Sequence, residues 1–245
     1  MSHNHKEDIY TLTENRLIAK NTYRTVFEGY TGHITKPGQF VNIKVEGQFL
    51  RRPISVCDYN ENNMVLIYKI IGQGTKAMSE AMPGTRFDIL TGLGNGYTIR
   101  GNKPLLIGGG VGVPPIYCLA KALASDNIKA SVIIGFNSVE EVFYYDEFKA
   151  LGCNVIVTTA DGSMGLKGFV TDAIDRFEYD YFYTCGPEPM LKAVYNKTVT
   201  EGQLSFEERM GCGFGACMGC SCETKYGSKR ICLVGPVLEK NEVIW

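Results

Sequence analysis

A stretch rich in glycine and cysteine, residues 211–232, constrains the fold of this chain more than any other sequence feature. Five of its nine cysteines lie between Cys212 and Cys232. Cys212, Cys217 and Cys220 follow the spacing C-x4-C-x2-C, and Cys232 comes after eleven intervening residues. This spacing is typical of the plant-type loop whose four thiolates hold a 2Fe–2S cluster. Glycines spread over residues 211–219 would let the backbone wrap closely around such a cluster.

A zinc ion is the main alternative for this stretch, because four thiolates also suit tetrahedral zinc. Zinc sites usually present their cysteines as two close pairs, whereas here three cysteines share one glycine-rich loop, so iron is favoured. The fifth cysteine, Cys222, could replace Cys232 as a ligand. Only one residue separates it from Cys220, however, and both would then crowd one corner of a metal. We therefore expect Cys222 to have no ligand role.

The composition excludes several other classes of protein. Twenty-five Lys and Arg balance 26 Asp and Glu, so no overall charge attracts nucleic acid or an anionic membrane. The polar N-terminus lacks the apolar segment of a signal peptide. The longest uncharged stretch, residues 104–120, is too rich in glycine and proline and falls short of the roughly 20 apolar residues of a spanning helix. We expect a cytoplasmic protein without nucleic-acid or membrane partners, in which a cysteine cluster indicates metal rather than disulfides.

Two hydrophobic patterns divide the rest of the chain. Up to about residue 100, runs such as Gln39–Val45 and Met64–Ile71 are separated by Gly and Pro turns, which predicts antiparallel strands closed into a barrel. From Lys103, apolar strands alternate with helical stretches, among them Val139–Leu151 and Phe169–Phe177, which predicts a parallel α/β sheet. The predicted division is a barrel at residues 1–100, an α/β domain at 101–202 and a cysteine domain at 203–245.

A glycine-rich loop follows the first strand of the α/β pattern. Leu105–Ile107 leads into Gly108-Gly109-Gly110-Val111-Gly112, and prolines then begin a helix. Such a loop gathers free N–H groups and the positive end of a helix, which suits a pyrophosphate. The stretch is not a G-x-G-x-x-G fingerprint, so a tight, closely packed turn is the alternative. No Lys or Arg lies between Lys129 and Lys149, which favours NAD(H) over NADP(H).

Motifs over nearly the whole chain resemble those of the ferredoxin–NADP reductase superfamily. Arg52-Pro53-Ile54-Ser55 resembles its flavin motif, in which the arginine pairs with the FAD pyrophosphate and the hydroxyl approaches the flavin ring. Ile67-Tyr68-Lys69 and Gly74-Thr75 stand where the superfamily places further FAD contacts. Cys185-Gly186-Pro187-Glu188-Pro189-Met190 resembles its C-G-P-x-x-M segment, which lies near the nicotinamide.

These residues have plainer interpretations when each is taken alone. Arg52 could be a strand-end arginine beside a turn, Tyr68 an ordinary strand aromatic and Cys185 a small buried hydrophobe. Their placement in the motifs favours cofactor binding. The resemblance implies that Cys185 is the one catalytic candidate, and none of the three histidines (His3, His5, His33) lies in a motif.

A narrower resemblance is to the electron-transfer subunits of class 1B dihydroorotate dehydrogenase. Ser205–Met210 (SFEERM) and Cys212–Cys217 (CGFGAC) carry it, and Leu50–Val56 and Leu93–Tyr97 are similar to the same family. Thr91-Gly92 departs from it, since relatives often have Gly-Pro there. The resemblance implies an N-terminal antiparallel Greek-key β-barrel that binds FAD, a parallel α/β domain for NAD(H) and a small C-terminal 2Fe–2S cysteine domain.

The same resemblance implies an activity. FAD would exchange a hydride with NAD(H) as substrate, and the cluster would carry electrons from an FMN-containing catalytic subunit that oxidises dihydroorotate in pyrimidine biosynthesis. The implied assembly is a heterotetramer with two copies of each subunit. Two alternatives stay open: the reductase subunit of a ferredoxin:NAD(P) or sulfide-type oxidoreductase, and a non-enzymatic redox sensor that uses the cysteines as a metal switch.

Overall fold

The N-terminal part of the molecule is a closed antiparallel barrel. The computed structural model describes residues 6–245, so residues 1–5, which open the predicted first domain and include His3 and His5, lie outside the described range. The barrel strands are β1 (Lys6–Ala19), β2 (Thr22–Glu28), β3 (Phe40–Ile43), β4 (Arg52–Tyr59), β5 (Asn63–Lys69) and β6 (Arg86–Leu93), with helix α1 (Gln73–Glu80) between the last two. Their spatial order, β1-β2-β5-β4-β3-β6, is a Greek key and confirms the predicted barrel.

Side-chain alternation separates the two faces of each barrel strand, and strand β3 shows this most clearly. Val41 and Ile43 are buried in the barrel core with Leu66. Phe40 and Asn42 lie on the opposite face of β3 and are nevertheless buried as well. The outer face of β3 is therefore covered by another part of the chain.

A parallel sheet with helices follows the barrel. Its elements are β7 (Pro104–Gly109), α2 (Val113–Ser125), β8 (Ser131–Phe136), α3 (Tyr145–Ala150), β9 (Asn154–Thr159), β10 (Leu166–Lys167), β11 (Tyr181–Cys185), α4 (Glu188–Lys197) and β12 (Gly202–Ser205). The strands lie in the order β10-β9-β8-β7-β11-β12 and run parallel, which confirms the predicted α/β class. Their carboxyl ends meet at one edge, where sheets of this kind bind ligands.

The cysteine segment, residues 206–236, leaves the sheet after β12 and returns to it. It contains the hairpin of β13 (Ser221–Thr224) and β14 (Gly227–Arg230) and the single-turn helix α5 (Ile231–Val234). Strand β15 (Val237–Glu239) then pairs antiparallel with β12 and becomes the seventh strand of the sheet. The sheet thus includes strands on both sides of the boundary predicted between residues 202 and 203.

Two predicted helices are shorter than the sequence pattern indicates. Val139–Leu151 is interrupted at Tyr144, whose φ is +65°, and only α3 is α-helical. The run Val142-Phe143-Tyr144-Tyr145 contains poor helix formers, and two of its aromatic rings are buried, so packing overrides the helical period. Phe169–Phe177 forms only two 3₁₀ turns, Val170–Asp172 and Ile174–Arg176.

Direct contacts fasten the barrel to the sheet. Lys121 Nζ of α2 lies 2.6 Å from Asp58 Oδ1 of β4, and the Tyr97 hydroxyl donates to the Thr184 carbonyl over 3.2 Å. One apolar cluster also contains residues of both parts, including Ile67 and Leu106. The carboxyl edge of the sheet is thereby held facing strands β4 and β5. Within residues 6–245, no helix combines the length and the apolar character needed to cross a membrane.

Candidate functional site

One large cavity, of about 960 Å³, lies between the barrel and the carboxyl edge of the sheet. Both sets of predicted cofactor-binding residues reach it, although they are far apart in the sequence. The predicted residues that line it are Arg52, Pro53, Ile54, Ser55, Ile67, Tyr68, Lys69, Gly74, Thr75, Gly109, Gly110, Gly112, Cys185, Gly186 and Pro187. Gly108 does not line it. A cavity of this size can hold a cofactor, and its walls combine apolar side chains with a few polar groups.

The barrel side of the cavity has a cationic corner. Arg52, the first residue of β4, lies against Gly74 in the first turn of α1, so a Cβ at position 74 would clash with the guanidinium. Thr75 Oγ1 accepts hydrogen bonds from the N–H groups of Ile71 (3.0 Å) and Gly72 (3.3 Å) and so fixes the turn that precedes α1. A guanidinium beside the N-terminal amides of a helix suits a pyrophosphate.

The sheet side of the cavity depends on glycines that allow close backbone approach. A Cβ on Gly112 would clash with the carbonyl of Cys185, and one on Gly109 would clash with the sulfur of Met190. The glycine loop therefore lies directly against the Cys185–Pro187 turn. Gly108 serves packing instead, because a Cβ there would lie 3.0 Å from the Cα of Val113 at the start of α2. Of the two interpretations of the glycine loop, phosphate binding or close packing, close packing therefore applies to Gly108.

Cys185 ends β11 at the cavity wall. Burial raises the pKa of its thiol to about 12, despite an opposing hydrogen bond with Ser205. The thiol is therefore neutral at physiological pH. Ser205 and Glu207 line the cavity beside it, and sequence analysis did not single them out as site residues. Both residues belong to the Ser205–Met210 (SFEERM) motif, which carries the family resemblance.

An ion pair crosses from the barrel to the sheet at the cavity. Lys69 Nζ lies 2.7 Å from Glu141 Oε1, and Asn137 Nδ2 donates to Glu141 Oε2 over 2.8 Å. Burial alone would raise the pKa of the Glu141 carboxyl, but the bonds from Lys69 and Asn137 lower it. Asn137, Glu141 and the exposed ring of Phe169 are cavity residues that sequence analysis did not assign. They come from loops after different strands, so only the sheet topology brings them together.

The four predicted metal ligands form two pairs of thiols on the cysteine segment. Cys212 Sγ accepts the N–H of Cys217 over 3.4 Å, and Cys217 Sγ accepts the N–H of Cys212 over 3.4 Å. The second pair is buried, with Cys220 Sγ and Cys232 Sγ 3.2 Å apart. Cys222 lies in β13 and belongs to neither pair.

The two pairs have opposite electrostatic environments. Burial would raise the pKa of Cys212, but backbone N–H groups of Cys217, Phe214 and Ala216 lower it to about 6. Burial, the Cys220 contact and the nearby charges of Cys220 and Cys212 raise the pKa of Cys232 to about 12. Cys212 packs against the apolar cluster that contains Cys220 and Cys232, so the two pairs are neighbours.

The donor set fits a two-iron cluster. Across residues 6–245, no three or more His, Cys, Asp or Glu side chains converge as ligands of one metal ion. Two thiol pairs give two thiolates to each of two irons, whereas a single zinc ion would need all four at one tetrahedral point. Backbone N–H groups directed at sulfur are the second feature that such clusters require.

Two family models match the chain. Residues 207–244 match the iron–sulfur cluster binding domain of dihydroorotate dehydrogenase B, and residues 106–196 match the oxidoreductase NAD-binding domain. The first match covers most of the cysteine segment together with β15. The second covers the sheet from β7 to α4.

Whole-length relatives are similar to the chain from end to end. The electron transfer subunit of dihydroorotate dehydrogenase B (NAD(+)) from Fusobacterium nucleatum is 45% identical over 95% of this chain and 96% of its own length. The subunit of the same description from a Geobacillus species is 43% identical over 98% of this chain and 99% of its own.

Solved structures share the architecture. A chain of an NADH-dependent reduced ferredoxin–NADP oxidoreductase matches with a TM-score of 0.89 and 29% identity, over 97% of this chain and 90% of its own. The cytochrome P450 reductase GcoB of Amycolatopsis matches with a TM-score of 0.71 and 20% identity, over 80% of this chain and 66% of its own. The second likeness shows the fold alone.

Proposed function

The chain belongs to the family of dihydroorotate dehydrogenase B (NAD(+)) electron-transfer subunits, and from this premise we propose which of its residues carry the activity. A subunit of this family passes electrons from a dihydroorotate-oxidising catalytic subunit to NAD⁺ in pyrimidine biosynthesis. When bound, FAD supplies hydride exchange with NAD(H), and the 2Fe–2S cluster supplies single-electron transfer. The partner is proposed to contain FMN, in a cytoplasmic heterotetramer with two copies of each subunit.

The observation that carries the residue assignment is the shared cavity. Its barrel wall holds the Arg52–Ser55 and Ile67–Lys69 segments, and its sheet wall holds the glycine loop and the Cys185–Pro187 turn. A flavin on the barrel wall would therefore face a nucleotide on the sheet wall across one cavity. Proximity and orientation, rather than protein acid–base chemistry, are what a hydride transfer needs from its protein.

On the barrel wall, Arg52 and the first turn of α1 at Gly74 and Thr75 would bind the FAD pyrophosphate. Pro53, Ile54 and Ser55 would line the flavin ring, and the Ile67–Lys69 segment would complete that wall. The neighbouring Arg51 is occupied elsewhere, since its guanidinium forms a bidentate pair with Asp88. The Arg52 guanidinium, in contrast, donates to the Leu50 carbonyl and to Gln48 Oε1 (2.7 Å) and has no ion pair with a carboxylate among the described residues, so its charge could be paired by a phosphate.

On the sheet wall, Gly109, Gly110 and Gly112 would bind the NAD(H) phosphates, with Gly108 supporting their loop. Cys185, Gly186 and Pro187 would lie beside the nicotinamide, where a neutral thiol adds no charge. Among residues 6–245, Arg52 and Lys69 are the only Lys or Arg residues lining the cavity, and both belong to the barrel. A 2′-phosphate would meet no cation on the sheet wall, which favours NAD(H) over NADP(H).

The cysteine segment would hold the cluster through Cys212, Cys217, Cys220 and Cys232. The ferredoxin–NADP oxidoreductase likeness keeps the reductase alternative in view, but at 29% identity it supports that partner less than the 45% and 43% relatives support the dihydroorotate system. The partner is therefore what the decisive experiment must test.

The experiment is anaerobic purification of the chain with its catalytic subunit, followed by an assay of NAD⁺ reduction driven by dihydroorotate. Turnover that is lost in Cys217→Ser supports the proposal. Absence of turnover in a sample that shows flavin and 2Fe–2S bands bleached by NADH would overturn the proposed partner. In that case, NADH-dependent reduction of a ferredoxin by the same sample would favour the reductase alternative.

A further inference from the structure

The outer face of β3 connects the flavin wall of the cavity to both thiol pairs. Phe40 lines the cavity and also belongs to the apolar cluster that contains Cys220 and Cys232. Two residues further along the same face, Asn42 Nδ2 donates to the Cys212 carbonyl over 3.2 Å. In register, Phe40 is opposite Ser55 and Asn42 is opposite Pro53. The strand beside the flavin motif is therefore also the strand on which the cysteine segment rests.

The fit between Asn42 and the cysteine segment is close. Gly213, with φ +81°, lies so near the Asn42 amide that a Cβ there would clash with Nδ2. Arg51, in turn, donates to the Asn42 carbonyl over 3.4 Å and holds this end of β3. The Cys212–Gly213 peptide is thus held in place by a side chain of the barrel, more than a hundred residues away in sequence.

Packing alone does not explain an asparagine at this position. Asn42 is only 1% exposed, and its Oδ1 has no hydrogen-bond partner among the described residues. A buried amide that is half satisfied destabilises a fold, and an apolar residue of similar shape would remove that cost. Within the described part of the chain, the one hydrogen bond of its side-chain amide is to the carbonyl of Cys212, the first residue of the Cys212–Cys217 pair.

We infer that Asn42 is a positioning residue for the iron–sulfur site, which seats the Cys212–Gly213 peptide and raises the reduction potential of the cluster. The inference rests on the proposed function, since it needs a cluster at these cysteines. The positive end of the Asn42 amide dipole lies at the Cys212 carbonyl, where it would stabilise the added negative charge of the reduced state. The barrel, which is proposed to bind FAD, would thereby also influence the reduction potential of the cluster.

The test is an EPR-monitored redox titration of the subunit in its complex, comparing the unaltered chain with Asn42→Leu and the isosteric Asn42→Asp. We expect Asn42→Leu to lower the equilibrium constant for cluster reduction about tenfold, which is about 59 mV for one electron, with FAD content and the flavin potential unchanged. Its melting temperature should stay the same or rise. Asn42→Asp should lower the potential less than Asn42→Leu, because a carboxyl buried beside the Cys212 carbonyl stays protonated and can still donate to it.

Asn15→Leu is the matched control, because Asn15 Nδ2 donates to the carbonyls of Met78, Ser79 and Ala81 at the end of α1 and has no hydrogen bond to the cysteine segment. It should lower the melting temperature and leave the cluster potential unchanged. Loss of iron with retained FAD in both Asn42 variants would also support the seating role. Three outcomes would overturn the inference. The cluster potential could be unchanged in an Asn42→Leu protein that keeps its cluster, the Asn15→Leu control could show an equal shift, or the Asn42 variants could lose FAD and iron together. A missing 2Fe–2S signal in the unaltered chain would overturn the cluster assignment as well.

Discussion

The cavity and the cysteine segment are built in opposite ways. The sheet wall of the cavity is formed largely by backbone, since strands β7 and β11 are buried and the glycines at their ends allow close approach. The cysteine segment has little regular structure, and φ is positive at Gly213, Gly215 and Met218. Its thiols are unevenly covered: Cys220 and Cys232 are buried, whereas Cys217 is exposed. A site made of strand ends exists before its ligand binds, whereas a site made of loop side chains gains part of its order from the metal.

The largest expected effect is loss of dihydroorotate-driven turnover, which needs the cysteine segment, without loss of flavin reduction, which needs only the cavity. Cys217→Ser removes one thiolate of the Cys212–Cys217 pair, so dihydroorotate-driven NAD⁺ reduction should be abolished, while NADH should still reduce FAD at the unaltered rate. Stopped-flow absorbance at flavin wavelengths measures the second reaction. Cys222→Ser, at the cysteine outside both pairs, is the control and should keep iron and turnover. Flavin reduction that becomes as slow as the partner reaction would contradict this separation.

The converse change should impair the cavity and spare the cysteines. Gly112→Ala would force the glycine loop away from the Cys185 carbonyl, and a misplacement of this kind slows hydride transfer by about 100-fold. Iron content and the 2Fe–2S spectrum should not change. Gly152→Ala is the control, because its φ is +80° but a Cβ there meets no neighbour. Equal slowing in both variants would show that general destabilisation of the fold, not the clash at residue 112, is responsible.

A smaller effect is expected on FAD retention. Arg52→Ala removes a charge-assisted phosphate contact worth about 1.5–3 kcal/mol, so the FAD dissociation constant should rise by roughly 10- to 100-fold. Arg51→Ala is the matched control. It breaks the pair with Asp88 and should lower the melting temperature without changing FAD affinity. Flavin-to-protein ratios after gel filtration measure the difference, and equal losses from both variants would remove the special role of Arg52.

The smallest expected effect is an absence of pH dependence. The raised pKa of Cys185, about 12, keeps its thiol protonated throughout the neutral pH range. Flavin reduction by NADH should therefore show no step from this thiol between about pH 6 and 9. Stopped-flow rates across that range, compared with those of Cys185→Ser, provide the check. A step present in the unaltered chain and lost in the serine variant would show that the thiol ionises.

The sequence was sufficient to predict the layers of the fold, because strand and helix periods dominate where one face is buried. It failed at Tyr144, where buried aromatic rings interrupt the helical pattern, and it did not place β12 and β15 side by side. The barrel and α/β classes are confirmed, whereas the binding roles of individual residues stay predictions.

The cavity shows why motif reasoning finds some site residues and misses others. The Arg52–Ser55 and glycine-loop residues are adjacent in sequence and share one function, so they form recognisable motifs. Glu141 and Phe169 reach the cavity only because the loops after parallel strands converge at one edge. Asn42 has no local sequence signal, since its partner is Cys212, and the cysteines divide into two pairs only in the folded chain.

The pairing of β12 with β15 has an evolutionary consequence. Neighbouring strands lie about 4.8 Å apart, so residues 206–236 begin and end at almost the same point. A short hairpin turn could therefore replace this segment without altering the register of the sheet. Exchange of this segment would change the electron acceptor and keep the strands of the sheet, but it would also replace Glu207 in the cavity wall.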